Sequence, residues 1–342
     1  MMRKLRMRWI WLLWVGLLLG CLPQKKVVVI SYNVQNLFDD QYQGTEYREF
    51  SEVSTALYQQ KVSNLAGGFA QIAQSYGSPS ILLLQEVENH AVVQALSEQS
   101  KGLQGMHILF AKEPSHATGL AILSRYEVIE MRSIQVRDPL DERQQLRPIL
   151  LGVLRLSNNQ PLVVINLHLQ SQREERNVVR RSATFAQLHL SIERIRREYG
   201  EDVAILVGGD FNMDLRNASA MEANIMAIAS SLAMVEAEGF YNPWPSYVEA
   251  HQEKESILGT YAYGGNWQAL DGFLLARRLL IGDGLTFIEQ RPITHARFLS
   301  EQVDEESQEI FLYPNAFYAN RIDGLSDHLP IMAIFTYKNS KK

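Results

Sequence analysis

Short, continuous apolar runs recur along the chain and give the first indication of its fold. They are rich in β-branched residues and span 27–33, 81–86, 119–124, 149–156, 161–168, 203–210, 270–276 and 329–335. Because apolar residues follow one another instead of alternating with polar ones, each run predicts a strand covered on both faces. Sheets of this kind need covering layers, so the pattern favours an α/β fold.

Two longer segments have the three- and four-residue spacing of amphipathic helices. The apolar positions are Val62, Leu65, Phe69, Ile72 and Tyr76 in the segment 54–76, and Val178, Phe185, Leu188, Ile192 and Ile195 in the segment 174–198. Arg181 falls on the second stripe near its start, so its side chain is expected to face inward and to meet an anionic partner. A salt bridge on the outer face explains the same spacing equally well.

No short repeat, low-complexity tract or Pro/Ser-rich linker divides the chain, which predicts one domain over 27–338. Insertions are expected at 40–53, 236–264 and 290–320, where polar or aromatic-rich sequence lacks a clean period. Long irregular loops often shape binding sites.

The first twenty residues have the composition of a secretory signal peptide. Four cations precede an apolar run that is shorter than a membrane span. The run ends in Leu18-Leu19-Gly20-Cys21, which resembles the lipobox of bacterial lipoproteins. This resemblance implies a signal peptide over 1–20, lipidation of Cys21, a tether over 21–26, and an exported lipoprotein held on the periplasmic or cell-surface face of a membrane. The alternative is an uncleaved anchor with an incidental thiol.

Cysteine usage and charge narrow the class of protein further. Cys21 is the single cysteine, so an internal disulfide is excluded and thiol catalysis is disfavoured. Removing the four leader cations leaves 29 Lys and Arg against 38 Asp and Glu, a net charge of −9. The net negative charge therefore does not favour binding of a polyanion, and a phosphate partner must be held by local cations or a metal.

Polar side chains that can bind a metal or transfer a proton stand at the ends of several predicted strands. The runs close on Asn33, Glu86, His168 and Asp210, and Asn212, Asp271 and the triplet Ser326-Asp327-His328 extend the set. Taken singly, each is explained as a turn residue, a helix cap or a satisfied strand-end histidine. If all of them had such ordinary roles, each polar group would need its own hydrogen-bond partner beside apolar neighbours. Because ligand sites gather at the carboxyl ends of strands in layered α/β proteins, we expect them to converge on one cleft.

This set suits phosphoester hydrolysis assisted by a hard divalent metal. Glu86, with Asn33 and Asp327 nearby, offers the oxygen ligands that Mg²⁺ or Mn²⁺ prefers, whereas zinc would favour more His or Cys. Asp210 is the candidate base that orients and deprotonates a water for in-line attack. Asn212, two residues further along an extended chain, can hold that water or the phosphate.

Two histidines are candidate hydrogen-bond donors to the phosphate, namely His168 and His328. A carboxylate on the second ring nitrogen orients a histidine and raises its pKa. Asp271 could serve His168, and Asp327 could serve either His328 or the metal. Arg181 is a further candidate for phosphate contact.

These segments, in this order, resemble the motifs of the endonuclease/exonuclease/phosphatase superfamily, a metal-dependent group. The matching stretches are "SYNVQNLFD", "LLQEVEN", "INLHLQS", "GGDFNMD", "LDGFLLA" and "LSDHLPI". The resemblance implies a four-layer α/β/β/α sandwich of two facing mixed sheets with outer helices. It also implies these roles: Glu86 as metal ligand, Asn33 and Asp327 near the metal and phosphate, Asp210 as water activator, Asn212, His168 and His328 around the phosphate, and Asp271 behind a histidine.

The forms "NVQNLFD" and "EVEN" are similar to an exported, nuclease-like bacterial branch of this superfamily. That branch commonly carries Asp-x-Arg-Gly before the strand "GLAIL". Here the chain reads Ser115-His116-Ala117-Thr118-Gly119, without the Asp and the Arg. The departure affects a substrate contact and leaves the metal and water machinery in place.

The leading functional prediction is a lipid-tethered nuclease that depends on Mg²⁺ or Mn²⁺ and acts on DNA or RNA; no obligate protein partner is evident. Cations in "SQREERNVVRR" and "RQQLR" could meet a nucleic-acid backbone. Aromatic residues in "GFYNPWPSY" and "TYAYGGNW" could stack on bases, although loop packing accounts for them as well.

Two alternatives differ in substrate or in class. The same site could hydrolyse phospholipid head groups or small phosphate esters, although the chain has no long apolar hairpin for membrane insertion. The fold could instead serve a binding lipoprotein, because folds of this kind also host non-enzymes. All expected catalytic positions are present, which favours an enzyme.

Overall fold

Two sheets organise the part of the chain that the computed structural model describes, which comprises residues 26–50, 52–217, 228–229, 239–254, 256–281, 284–303 and 309–338. The predicted signal peptide and the predicted lipidation site, Cys21, lie outside these residues. Within the described ranges, none of the helices has the length and apolar character needed to cross a bilayer.

The first sheet has six strands in the order β16-β19-β1-β2-β4-β3, and the second has seven in the order β11-β12-β15-β10-β9-β8-β5. The first comprises β1 (Lys26–Leu37), β2 (Ile81–Val87), β3 (His107–Ala111), β4 (Gly119–Ser124), β16 (Gly284–Pro292) and β19 (Ile331–Lys338). The second comprises β5 (Glu127–Ile134), β8 (Ile149–Arg155), β9 (Pro161–His168), β10 (Ala204–Asp210), β11 (Ile228–Ala229), β12 (Phe240–Tyr241) and β15 (Asp271–Ala276). Each sheet mixes parallel and antiparallel pairs.

Three strand pairs and four α-helices complete the described elements. The pairs are β6 (Arg137–Asp138) with β7 (Asp141–Gln145), β13 (Tyr261–Tyr263) with β14 (Asn266–Gln268), and β17 (Leu299–Val303) with β18 (Ile310–Pro314). The helices are α1 (Thr55–Tyr76), α2 (His90–Gln99), α3 (Asn177–Tyr199) and α4 (Trp244–His251). Single 3₁₀ turns lie at Arg48–Phe50, Arg277–Leu279 and Ala296–Phe298.

Alternate residues of β1 face opposite sides of the first sheet, and this explains the layered architecture. Val27 and Val29 belong to the buried cluster shared with the second sheet, whereas Val28 and Ile30 belong to the cluster that contains the apolar stripe of α1. The apolar stripe of α3 is buried with the second sheet. The result is the predicted four-layer sandwich, with α1 and α2 outside one sheet and α3 outside the other, so the predicted fold class is confirmed.

The predicted strands and the two predicted helices all form, with ends displaced by at most a few residues. Several elements were not predicted because their pattern is weak. β5 alternates exposed and half-buried positions at the edge of its sheet, and β16 carries polar residues at its own edge. The segment 290–320 is more regular than expected, because it contains the β17–β18 hairpin.

The register of three neighbouring strands matters most for function. In the second sheet, Asp210 on β10 is the direct partner of His168 on β9 and of Asp271 on β15. Two glycines precede Asp210. A Cβ on Gly208 would stand 2.7 Å from Leu83 of the facing sheet. Gly209 has φ 141°, and a Cβ there would stand 2.0 Å from the Leu167 carbonyl oxygen. The "GGD" sequence therefore allows the close strand approach that sets this register.

The substitution Gly209→Ala should destabilise the protein strongly, because it combines backbone overlap with an unfavourable φ. We expect a loss of about 3 kcal/mol or more in the free energy of unfolding, measured by chemical denaturation. Gly200→Ala is the matched control: Gly200 also has positive φ, but nothing lies within 4 Å of its Cβ position. It should cost less, about 1–3 kcal/mol, from its unfavourable backbone conformation alone. Equal losses in the two variants would contradict the importance of the close approach.

Candidate active site

Three of the predicted site residues lie side by side on neighbouring strands of the second sheet, at the end where β9 and β10 finish. His168 and Asp210 end the parallel strands β9 and β10, and Asp271 begins the antiparallel strand β15. All three are buried. The shared register thus brings together residues that are 42 and 61 positions apart in sequence.

Asn33 and Glu86 of the first sheet lie beside these residues, toward the carboxyl ends of β1 and β2. β1 and β2 are parallel and pair Asn33 with Gln85, after which the register shifts. A regular strand would turn residue 86 toward the α1 side, where Leu84 packs. Glu86 instead has φ 62°, a left-handed conformation that is costly for a residue with a Cβ. This irregularity directs its carboxylate toward Asn33.

The Asn33 amide joins the two sheets. Its Nδ2 donates to Glu86 Oε1 and to Asp210 Oδ2, both at 3.0 Å, while its Oδ1 accepts from the Gln35 backbone N–H at 3.0 Å. Glu86 Oε2 accepts a further bond from the Asn36 N–H at 2.9 Å. Asn33 was predicted near the metal and the phosphate; its position at the site fits, but its contacts favour positioning of two carboxylates over metal ligation.

His328 pairs with Asp271, not with Asp327. The distance from His328 Nδ1 to Asp271 Oδ2 is 2.7 Å, and the Asp271 N–H is held by Thr260 Oγ1 at 3.0 Å. The prediction that Asp271 serves His168 is therefore wrong: Asp210 stands between them in the sheet. Burial disfavours the charged ring of His328, but the carboxylates of Asp271, Asp210 and Asp327 outweigh it and raise its pKa well above 6.5.

His168 has the opposite electrostatic character. Its Nε2 lies 3.5 Å from Asp210 Oδ2 and 3.8 Å from Glu86 Oε1. Burial, followed by the charges of Arg147 and His328, lowers its pKa well below 6.5. The site therefore contains one cationic and one neutral histidine, so the expected carboxylate support of a cationic ring applies to His328 alone.

Asp210 is held in the geometry of a general base. Its Oδ1 accepts the Asn212 N–H at 2.8 Å, and its Oδ2 lies toward Asn33 and both histidines. Burial, then the charge of Asp271, raises the pKa of Asp210 to about 7. Asn212 has φ 48°, and its Nδ2 donates to the Leu169 carbonyl at 2.9 Å. Part of its amide thus holds the turn after β10.

The divalent metal expected from the sequence fits beside Glu86 and Asp327. Both side chains line the same cavity, and burial followed by the charge of Asp327 raises the pKa of Glu86. Two close carboxylates of this kind suit a hard cation. Asp210, Asp271 and His328 also have ligand atoms within 4.8 Å of one another. The Asp271–His328 hydrogen bond makes that group better suited to holding a proton than to enclosing an ion.

A cavity of about 790 Å³ is lined by Glu86, His168, Asp210, Asn212, Asp327 and His328. Its wall adds the cations Arg147 and Arg173 and the tyrosines Tyr261 and Tyr263. Arg147 Nη1 donates to the Leu169 carbonyl at 3.1 Å, in the same turn that Asn212 holds. The segments "RQQLR" and "SQREERNVVRR" contain the two arginines, but spacing alone did not single them out.

Arg181 lies one step behind the cavity. Its Nη1 donates to the Gln170 carbonyl at 3.1 Å and lies 3.4 Å from the Ser171 carbonyl. Ser171 and Arg173 line the cavity, and Arg181 is not among the lining residues. These two contacts support the loop between β9 and α3, which favours a positioning role over the predicted direct contact with phosphate.

Asp271→Asn should lower the pKa of His328, because an amide accepts a hydrogen bond without providing counter-charge. In the wild type the folded-state pKa is raised, so the pair's contribution to stability is complete below about pH 6.5 and is lost as pH rises through the folded-state value. The variant should lose this pH-dependent stability. NMR titration of the His328 ring tests this, with Asp202→Asn at the distant Arg278 pair as control. An unchanged His328 titration would rule out Asp271 as the cause.

Comparison with solved structures gives the same fold at low sequence identity. A Bacteroides thetaiotaomicron protein of the endonuclease/exonuclease/phosphatase family is 14% identical with a TM-score of 0.55, and the match covers 93% of this chain and 100% of that one. The human Nocturnin catalytic domain with bound sulfate is 13% identical with a TM-score of 0.55, covering 92% and 96%. D. rerio TDP2 complexed with single-strand DNA product is 17% identical with a TM-score of 0.52, covering 91% and 99%.

Comparison with curated proteins gives no match. The model of the Endonuclease/Exonuclease/phosphatase family matches residues 28–337, nearly the whole described chain. That span includes the polar residues at both sheet edges and the loop that carries His328. The chain therefore belongs to the endonuclease/exonuclease/phosphatase family.

Proposed function

We propose that this protein is a divalent-metal-dependent phosphodiester hydrolase whose substrate is nucleic acid. The observation that carries the proposal is the position of Asp210, between a neutral and a cationic histidine and across from Glu86. In-line attack on phosphorus needs a base, a charged hydrogen-bond donor and a metal-ligating carboxylate, and groups of these three kinds line one cavity here.

The chain's own residues account for activation of the water. Asp210 Oδ2 accepts a proton from the attacking water, and a pKa of about 7 makes it an effective base near neutral pH. As the water oxygen bonds to phosphorus, the ester P–O bond opposite it breaks, and the leaving oxygen takes a proton from solvent. His328 donates a charged hydrogen bond to the phosphate, and Asp271 holds the ring in place. His168 donates a hydrogen bond without adding charge. Glu86 and Asp327 would hold Mg²⁺ or Mn²⁺, which would offset phosphate charge when bound.

The rim of the cavity supports a nucleic-acid substrate. Arg147 and Arg173 give the cavity wall the positive charge that a backbone phosphate needs, and Tyr263 is 75% exposed on the same wall. D. rerio TDP2, which shares the fold, has been solved with a single-strand DNA product. We extend the proposal to a lipid anchor at Cys21, based on the sequence alone, which would place the enzyme on a bacterial membrane facing the periplasm or the exterior.

The first test is hydrolysis of supercoiled plasmid, RNA and small phosphate esters in Mg²⁺, Mn²⁺ or EDTA. We expect nucleic acid to be cleaved, EDTA and Glu86→Gln to abolish cleavage, and Asp210→Asn to lower kcat by about 100-fold or more because the base is lost. The exposed Glu98→Gln variant is the matched control and should retain full activity.

Two outcomes of this test would count against the proposal. Intact nucleic acid alongside rapid hydrolysis of a lipid or soluble ester would keep the site and change the substrate class. No turnover of any substrate would favour a binding protein on the same fold.

Tyr263→Ala should raise KM for single-stranded oligonucleotides by about tenfold, because loss of one base–aromatic stack costs about 1–3 kcal/mol. The rate with a small phosphodiester that carries no base should stay unchanged. Steady-state kinetics on the two substrates measures this. Tyr42→Ala is the control, since Tyr42 is 65% exposed and does not line the cavity. Equal effects on both substrates would place Tyr263 outside base recognition.

A further inference from the structure

Helix α1 buries two polar side chains on an otherwise apolar face. Lys61 is 3% exposed and Asn64 is 6% exposed, one helical turn apart. Burying a cation costs several kcal/mol unless it is compensated, and Lys is rarely fully buried without a partner. Neither residue takes part in the reaction described above, so their burial needs a separate explanation.

The buried amino group of Lys61 finds its hydrogen-bond partner in the loop that precedes His328. Its Nζ donates to the Leu325 carbonyl at 2.6 Å and lies 4.6 Å from the centre of the Phe317 ring. Burial lowers the pKa of Lys61 to about 7, while the charges of Asp327 and Glu86 act in the opposite direction. The Lys61 Nζ therefore lies between α1 and the acidic part of the active site.

Asn64 holds the same loop three residues and one residue earlier. Its Nδ2 donates to the Ile322 carbonyl at 2.7 Å and to the Gly324 carbonyl at 2.8 Å. Its own Oδ1 accepts from Gln60 Nε2 at 2.8 Å, which orients the amide. The two α1 side chains thus take up three carbonyls of the segment 322–325.

The segment 322–325 leads directly into the site. Its last residue, Leu325, donates its N–H to the Asn315 carbonyl at 2.6 Å. Ser326 Oγ then donates to the Asn33 carbonyl at 2.7 Å and accepts the His328 N–H at 3.1 Å. The loop is fixed first by α1 and then, at Ser326, by β1, and Asp327 and His328 follow directly after these attachments.

We propose that Lys61 and Asn64 form a clamp on the segment 322–325 that positions Asp327 for the metal and His328 for the phosphate. Both are positioning residues, since they act through the loop backbone. The inference deepens the proposed function and rests on it for the roles of Asp327 and His328. It makes α1, the outer helix of the first sheet, part of the hydrolytic apparatus.

Lys61→Met and Asn64→Ala remove the donors, and Lys101→Met on the surface is the matched control. Mn²⁺ titration of the metal-free protein, followed by electron paramagnetic resonance, should give a Kd about tenfold higher in each clamp variant. With oligonucleotide at saturating Mn²⁺, kcat should fall about tenfold or more while KM stays within about twofold. Backbone amides over 325–328 should exchange with deuterium faster, and Lys101→Met should match the wild type in all three measurements.

The three readouts separate failure of the clamp from failure of the proposed function. Faster exchange at 325–328 with weaker Mn²⁺ binding supports the clamp even if the protein hydrolyses another substrate. Unchanged exchange and unchanged Mn²⁺ affinity in a folded Lys61→Met protein would overturn it. If Lys61→Met does not fold, Asn64→Ala decides by the same criteria. A parallel loss in kcat and rise in KM without any change in exchange would likewise overturn it.

Discussion

One amide group, that of Asn33, connects the two sheets where their polar edges meet. Its Nδ2 donates to Glu86 on the first sheet and to Asp210 on the second, both at 3.0 Å. A single NH₂ can serve two carboxylates on different sheets only if both strands end at the same level and the sheets keep a fixed separation. The apolar packing between the sheets maintains that separation, so the core and the active site depend on the same distance.

The site's electrostatic asymmetry follows from strand order. Burial disfavours the charged form of both histidines, and their neighbours decide the outcome. Asp271 is one strand beyond Asp210, where it reaches His328 from the loop and not His168 from β9. Arg147 adds positive charge on the side of His168. A histidine with a raised pKa and a histidine with a lowered pKa therefore flank Asp210, an arrangement suited to an anionic substrate.

The regular part of the fold was predictable because it depends on local pattern. Continuous apolar runs gave the strands, and the stripe at Leu65, Phe69 and Ile72 gave α1. The residues that close those runs also converge as expected. The partner of Asp271 was not predictable, since strand order is a long-range property. The clamp residue Lys61 was equally hidden, because a lysine within a helix usually faces solvent.

Residues with irregular backbone conformations position several of the side chains at the site. Glu86 reaches Asn33 because its φ of 62° breaks strand alternation, and Asn212 holds Asp210 from a φ of 48°. Such conformations cost about 1–3 kcal/mol each and persist only where several hydrogen bonds determine them. Both Glu86 oxygens accept hydrogen bonds, and both groups of Asn212, N–H and amide, donate. The regular strands supply a rigid frame, and that rigidity allows a few strained residues to aim their side chains at one point.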